Sequence, residues 1–318
     1  MKTARTCIIS IFAICLAISI IIGVFYALHA NDEIMPAGLL GRLRGAYHTE
    51  STHRADTSTQ NINIKIAGLK VSVWRPKQPH QGRVPLIIFS HGFHGSSTQS
   101  TFLTQALAEE GYLVMAPNHQ DSLKDGLYKV FILPEVAFSH PDKWNDSTYR
   151  DRANDINRLI TALENDRQWS ARIDWTKIAL IGHSLGGYTA LGLAGAWPRW
   201  RQPYIRAVIA LSPYVAPFIT NHTLGGLEIP VMYQGGTADS WLTTPWVRRT
   251  GGAYDQTPSP AYYIEFRGAG HFAWTDLTAE HHQAIRYCCL WFLSKYLKNP
   301  QSNDIERRFP DVSDLRSK

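Results

Sequence analysis

A serine flanked by glycines, in the segment Gly182-His-Ser184-Leu-Gly186, is the residue of this sequence best placed to do chemistry. The residues before it, Ile178-Ala-Leu-Ile181, form an apolar run typical of a strand buried on both faces. The small residues after it, 188–194, indicate a helix. A strand-to-helix turn of this kind strains the serine backbone and needs glycine where neighbouring elements pack closely. The pattern predicts that the Ser184 hydroxyl projects from the turn as a nucleophile.

A serine hydroxyl becomes a useful nucleophile when a base lies beside it and a third group orients that base. Two later apolar strands run into glycine-containing loops that end in Asp239 and in His271. We predict that His271 is the base and that Asp239 orients it. Asp255 and Asp276 lie in nearby segments and remain alternatives for the acid.

Attack on a carbonyl group places negative charge on its oxygen, which must meet hydrogen-bond donors already in position. One predicted donor is the backbone N–H of Leu185, at the N-terminus of the helix that follows the serine. The second is the backbone N–H of Phe93, in a His-Gly loop that follows an earlier apolar strand. His91 and His94 in this loop have no third ligand at a suitable spacing, so no metal is expected.

Strands and helices alternate along the sequence that must position these groups. Strand patterns cover 61–74 (a hairpin turning at 67–68), 85–90, 112–116, the run from 178, 205–211, 229–233 and 262–266, and helical patterns cover 98–110, 150–168 and 277–297. This order predicts an α/β fold with a mostly parallel central sheet and helices on both faces. Ligands of such sheets bind beyond the carboxyl ends of the strands, where the residues singled out above all fall.

The stretch 118–148 has no clear periodicity and mixes aromatic residues with proline and aspartate. A long segment of this kind is usually functional, and we expect an inserted lid-like loop with Tyr128, Phe131 and Trp144 above the site.

Composition and charge narrow the possible classes of function. The 318 residues are 44% hydrophobic and 18% charged, which is typical of a globular protein. The net charge is +6, but the cations are dispersed, so no nucleic-acid partner is expected. Cys288 and Cys289 are adjacent in a helical pattern and are predicted to be buried thiols rather than part of a disulfide scaffold or zinc site.

The N-terminal sequence has the pattern of a targeting segment. Lys2 and Arg5 precede an apolar stretch without charges, 7–28, which is long enough to span a bilayer. We expect 1–30 to be a signal peptide or membrane anchor, 31–60 a linker, 61–298 the catalytic domain and 299–318 a charged tail. The basic residues favour a cytoplasmic N-terminus, so the domain is expected to be exported, either membrane-anchored or periplasmic or secreted.

Several segments together resemble the α/β-hydrolases, in particular the branch with dienelactone hydrolases, platelet-activating-factor acetylhydrolases and bacterial polyester hydrolases. The resemblance covers about 60–298 and rests on segments that occur in the order of that family: 89–93 (FSHGF), 111–119 (GYLVMAPNH), 155–160 (DINRLI) and 178–187 (IALIGHSLGG). It implies a serine hydrolase of carboxylic esters that uses Ser184, Asp239 and His271 without a cofactor.

Two departures from that branch matter. The dienelactone hydrolases it resembles use a cysteine nucleophile, and Ser184 excludes that variant. In the acetylhydrolases the acid follows the strand after the nucleophile, whereas the matching stretch here, Leu211-Ser-Pro213, has no carboxylate. The acid is therefore expected from Asp239, and the acetyl-phospholipid substrate does not transfer directly.

The substrate is expected to be a small ester or a lipid. Trp241 and Trp274 lie close in sequence to the predicted acid and base, and their rings could line a substrate pocket. Two alternatives stay open: an amidase or peptidase on the same triad, and a catalytically silent, membrane-tethered binding protein. The sequence gives no oligomeric state.

Overall fold

The computed structural model describes residues 61–76, 82–122, 133–239, 243–301, 305 and 309–318. The strands of its sheet are β1 (Ile62–Ile66), β2 (Leu69–Trp74), β3 (Val84–Ser90), β4 (Leu113–Pro117), β5 (Ile173–His183), β6 (Ile205–Leu211), β7 (Val231–Gly236), β8 (Ala261–Phe266) and β9 (Val312–Ser317). The helices are α1 (Thr101–Glu109), α2 (Arg150–Asn165), α3 (Arg167–Arg172), α4 (Leu185–Leu191), α5 (Ala216–Thr220), α6 (Thr244–Arg248), α7 (Ala253–Gln256) and α8 (His282–Leu293).

These strands form one sheet in the order β1-β2-β4-β3-β5-β6-β7-β8-β9. The pairs from β4 through β3, β5, β6 and β7 to β8 are parallel, and the pairs at the two edges are antiparallel. The predicted mostly parallel sheet is therefore confirmed. Because the parallel strands all point the same way, their carboxyl ends share one edge, where the loops that follow β3, β5, β6, β7 and β8 meet.

Apolar side chains of β5 alternate between two hydrophobic cores, one on each face of the sheet. Ile178 and Leu180 belong to the core that contains residues of α2 and α4, and Ala179 and Ile181 belong to the core that contains residues of α1 and α8. A strand buried on both faces must be apolar throughout, which explains the continuous run before the serine. The expected helices on both faces are thus confirmed.

The predicted hairpin is formed by β1 and β2, with Ile66 opposite Leu69. Its two turn residues, Ala67 and Gly68, both have positive φ, 48° and 81°, as a two-residue hairpin turn requires.

The C-terminal segment differs from the prediction. Residues 299–318 were expected to be a charged tail, but Val312–Ser317 forms β9 and pairs antiparallel with β8. This strand adds to an edge that would otherwise expose unpaired backbone groups. The predicted helix over 277–297 is shorter at its start, because α8 begins at His282, and it continues beyond Leu293 as a π-helical turn.

Some predictions fall on residues that the structure does not describe, including the signal peptide or anchor at 1–30, the linker at 31–60, and Tyr128 and Phe131 of the lid-like loop. In the ranges that the structure does describe, none of the helices has the length and apolarity needed to cross a membrane. Trp144 is 1% exposed and packs against the rings of Tyr188 and Tyr214, so it is a core residue and not part of a lid.

Candidate active site

The turn between β5 and α4 is held by close backbone contacts. Ser184 lies between the two elements with φ 55° and ψ −116°, a strained conformation for a residue with a side chain. A Cβ atom on Gly182 would lie 2.0 Å from the carbonyl oxygen of Gly186, and one on Gly186 would lie 2.0 Å from that of Ser90. Only glycine fits at these two positions, and α4 consequently begins directly against the end of β3.

The three predicted catalytic side chains meet at the carboxyl edge of the sheet. The Oγ atom of Ser184 is 3.0 Å from Nε2 of His271, and Nδ1 of His271 is 3.2 Å from Oδ1 of Asp239. Ser184 follows β5, His271 follows β8 and Asp239 follows β7. The His271 side chain is 32% exposed, so a substrate can reach the serine–histidine pair, while Asp239 is buried beneath it.

The carboxylate of Asp239 is surrounded by hydroxyl donors. Ser212 donates to it at 2.5 Å, Thr243 at 2.7 Å and Thr244 at 2.9 Å. Burial alone would raise the pKa of Asp239, but the hydrogen bond and charge of His271 and the hydrogen bonds of Ser212 and Thr243 lower the pKa to about 2. The acid therefore stays ionised at any pH near neutrality, as a group that orients an imidazole must.

Ser212 is a member of this site that the sequence did not predict. It follows β6, and its Oγ atom is 2.8 Å from Nδ1 of His271, closer than the carboxylate of Asp239. In the sequence, Leu211-Ser-Pro213 differs from the resembled acetylhydrolases by its lack of a carboxylate. The available signal was a hydroxyl residue in the place where another branch of the resembled family carries its acid.

The two predicted oxyanion donors have free N–H groups. In the described ranges of the chain, no acceptor is bonded to the backbone N–H of Phe93 or of Leu185. Leu185 is the first residue of α4, where backbone donors have no partner within the helix. Phe93 is joined to Gly92 by a peptide whose carbonyl accepts hydrogen bonds from His91 at 2.7 Å and from Arg152 at 3.1 Å. Because C=O and N–H point in opposite directions across a trans peptide, these bonds aim the Phe93 N–H away from Arg152.

A buried arginine donates hydrogen bonds to the loop that carries Phe93. Arg152 of α2 donates to the carbonyl oxygen of His91 at 2.7 Å and to both carboxylate oxygens of Asp121 at 2.7 and 3.1 Å. Its side chain is completely buried. Burial would raise the pKa of the Asp121 carboxyl, but the Arg152 guanidinium holds that pKa well below its usual range. The helical pattern of 150–168 predicted α2 but gave no sign that one of its cations faces inward.

His91 and His119 form a buried hydrogen-bonded network next to the same loop. His91 accepts a hydrogen bond from the backbone N–H of His119 at 3.0 Å, and His119 is bonded to Ser90 and to Asp155, each at 3.0 Å. Burial, followed by the charge of Arg152, lowers the pKa of both histidines and favours their neutral form. In the ranges described, no group of three or more His, Cys, Asp or Glu residues is arranged to hold a metal ion.

A chain of hydrogen-bonded side chains connects the Gly92 loop, the nucleophile turn and the His271 loop. Gln99 accepts from the backbone N–H of Gly92 at 3.0 Å and donates to Nδ1 of His183 at 3.1 Å. His183, which directly precedes the nucleophile, donates through Nε2 to the carbonyl oxygen of His271 at 2.8 Å. Burial and the neighbouring His271 lower the pKa of His183 to about 3, so its imidazole stays neutral and keeps one donor and one acceptor.

One of the two predicted pocket tryptophans, Trp274, is not brought to the site. Trp274 is 0% exposed, and its indole N–H donates to Oε1 of Gln234 at 3.0 Å inside the core. The prediction that Trp274 lines the substrate pocket is therefore wrong. A large ring this close in sequence to His271 can equally fill the hydrophobic core, and that is where it lies. Trp241 lies outside the residues that the structure describes.

Comparison with known proteins agrees with this architecture. Relatives include cutinase est2 of Thermobifida alba (25% identical), cutinase 2 of Thermobifida cellulosilytica (24%) and cutinase cut1 of Thermobifida fusca (24%). Each match covers 191 residues, 59% of this chain and 52%, 60% and 49% of the respective relative, so the chain spans about half the length of the relatives it matches. A family model described as the alpha/beta hydrolase family matches residues 87–302, more than half of the chain, and the protein therefore belongs to that family.

Proposed function

We propose that the protein hydrolyses carboxylic esters through an acyl-enzyme formed on Ser184. The observation that carries the proposal is the hydrogen-bonded line from Ser184 through His271 to Asp239, with distances of 3.0 and 3.2 Å. The similarity to proteins named cutinases supports an ester as the substrate class.

In the first half of the reaction, Nε2 of His271 accepts the Ser184 proton as Oγ attacks the carbonyl carbon. The negative charge that develops on the carbonyl oxygen is held by the N–H groups of Phe93 and Leu185. His271 then gives the proton to the leaving alcohol, and the ester C–O bond breaks to leave an acyl group on Ser184.

In the second half, water replaces the alcohol. His271 takes a proton from the water as it attacks the acyl carbon, and returns that proton to Oγ of Ser184 when the carboxylic acid leaves. Both halves need Nε2 to be free of a proton at the start, with the proton of the neutral ring on Nδ1. The ionised Asp239 favours that tautomer by accepting from Nδ1.

Hydrolysis of nitrophenyl esters of graded acyl length, beside matched anilides, tests this proposal. We expect the esters to be cleaved and Ser184→Ala to lower kcat by at least about 10³-fold. The exposed Ser139 provides the control, because Ser139→Ala lies outside the site and should keep wild-type activity. Preferential cleavage of the anilides would instead favour an amidase, and a folded protein inactive on both would favour a binding function.

We also propose that residues 1–30 carry the catalytic domain across a membrane, as a signal peptide or as an anchor that makes the membrane a partner. The support is the charge-free apolar run 7–28 behind Lys2 and Arg5. Expression of the full chain in a bacterial host, followed by fractionation and N-terminal sequencing, tests it. A shortened soluble product indicates cleavage, an intact chain in the membrane fraction indicates an anchor, and an intact cytosolic chain contradicts both.

A further inference from the structure

The Ser212 hydroxyl lies between the acid and the base of the proposed triad. Its Oγ atom is 2.5 Å from Oδ2 of Asp239 and 2.8 Å from Nδ1 of His271. We propose that Ser212 is a positioning residue of the site, which holds the imidazole of His271 through its Nδ1 atom. This inference rests on the proposed function and deepens it.

The hydrogen atoms fit this arrangement. The Asp239 carboxylate is only an acceptor, so the Ser212 O–H donates to it, and the lone pairs of Oγ face the Nδ1–H of His271. That N–H therefore has two acceptors, the Ser212 oxygen at 2.8 Å and Oδ1 of Asp239 at 3.2 Å. A donor shared in this way keeps the imidazole plane fixed between two rigid partners.

The surroundings hold Ser212 in this position. It is 0% exposed, and its backbone N–H donates to the carbonyl oxygen of Gln234 in the neighbouring strand β7 at 2.8 Å. Its φ of 42° is uncommon for residues with a side chain, and the backbone that carries the hydroxyl lies in the core.

Replacement of the hydroxyl tests the positioning role. We expect Ser212→Ala to lower kcat about tenfold with little change in KM, because a hydrogen bond to a charged group is lost without any loss of substrate contact. A 15N-histidine spectrum gives a second readout, in which the downfield Nδ1 proton of His271 should shift or broaden. A folded variant with wild-type kcat and an unchanged proton signal would overturn the positioning role.

Failure of the proposed function is distinguishable, because a wild-type protein inactive on esters and unreactive with a fluorophosphonate probe still shows the Nδ1 proton on which the inference depends.

Discussion

Nε2 of His183 lies 2.8 Å from the backbone carbonyl oxygen of His271, so the residue that precedes the nucleophile holds the loop of the base. The opposite ring nitrogen accepts from Gln99 at 3.1 Å, so the imidazole is held at both ends. The separation between Ser184 and the base is thereby fixed through main-chain and buried side-chain contacts, which is how a site is kept in position before substrate arrives.

We expect His183→Ala to lower kcat about tenfold, because loss of one hydrogen bond frees the His271 loop from its anchor. Steady-state kinetics on a nitrophenyl ester measures the effect, and KM should change less than kcat. His140, an exposed loop histidine, is the matched control, and His140→Ala should behave as wild type. Wild-type kcat in a folded His183→Ala protein would contradict the anchoring role.

The buried neutral histidines make stability sensitive to acid. Burial lowers the pKa of His91, His119 and His183 in the folded state, whereas the unfolded chain protonates such groups near pH 6.5. Below that pH the unfolded state binds more protons, so stability falls as the pH drops from 6.5 towards the folded-state pKa values. A histidine contributes at most about 1.4 kcal/mol per pH unit between its unfolded-state and folded-state pKa values.

Urea unfolding at pH 7.5, 6.5, 5.5 and 4.5 measures this slope. His183→Gln removes one of the three groups and should reduce the slope by about 1.4 kcal/mol per pH unit. The same slope in wild type and variant would show that His183 is protonated in the folded protein. Below about pH 4 the Asp239 carboxylate adds a further loss, because its folded-state pKa of about 2 lies below that of the unfolded chain.

Arg152→Lys tests whether the planar guanidinium orients the Phe93 N–H. A lysine ammonium cannot donate at once to the carbonyl oxygens of His91 and Gly92 and to both oxygens of Asp121. We expect kcat to fall about tenfold or more and the free energy of unfolding to fall by about 1–3 kcal/mol. Arg158→Lys on the same helix is the control, since that cation is 53% exposed and should be replaceable.

Trp274→Phe distinguishes a core residue from a pocket residue. The change removes the donor to the buried Oε1 of Gln234, so we expect a loss of about 2 kcal/mol in stability with unchanged KM. Urea unfolding and ester kinetics on one sample measure both quantities. Trp291, which is half-buried on α8, is the control, and Trp291→Phe should cost less. A raised KM with unchanged stability would return Trp274 to the substrate pocket.

The sequence predicted the parts of this fold that depend on local pattern. The apolar run into Gly182 and the small residues after Ser184 specify a strand, a turn and a helix, and the loops carrying Asp239 and His271 follow apolar strands in the same way. Since parallel strands end at one edge, the pattern was sufficient to expect that these loops meet.

The partners of those residues depend on contacts across the chain, which no local pattern encodes. Ser212, Gln99 and Arg152 reach the site from three different elements, and each is an ordinary polar residue within its own segment. The strand β9 was missed for a related reason. Its half-exposed polar and charged residues, in an edge strand with one neighbour, resemble a solvated tail when the sequence is taken alone.

The close approach of Gly186 to the end of β3 has a consequence for how this protein can diversify. Both proposed oxyanion donors are peptide groups, and the gap between their segments is set by backbone touching backbone. The half-buried side chain at 93 can therefore change over evolutionary time, and with it the selectivity for one acyl group or another, while the geometry that accepts the developing charge is inherited intact.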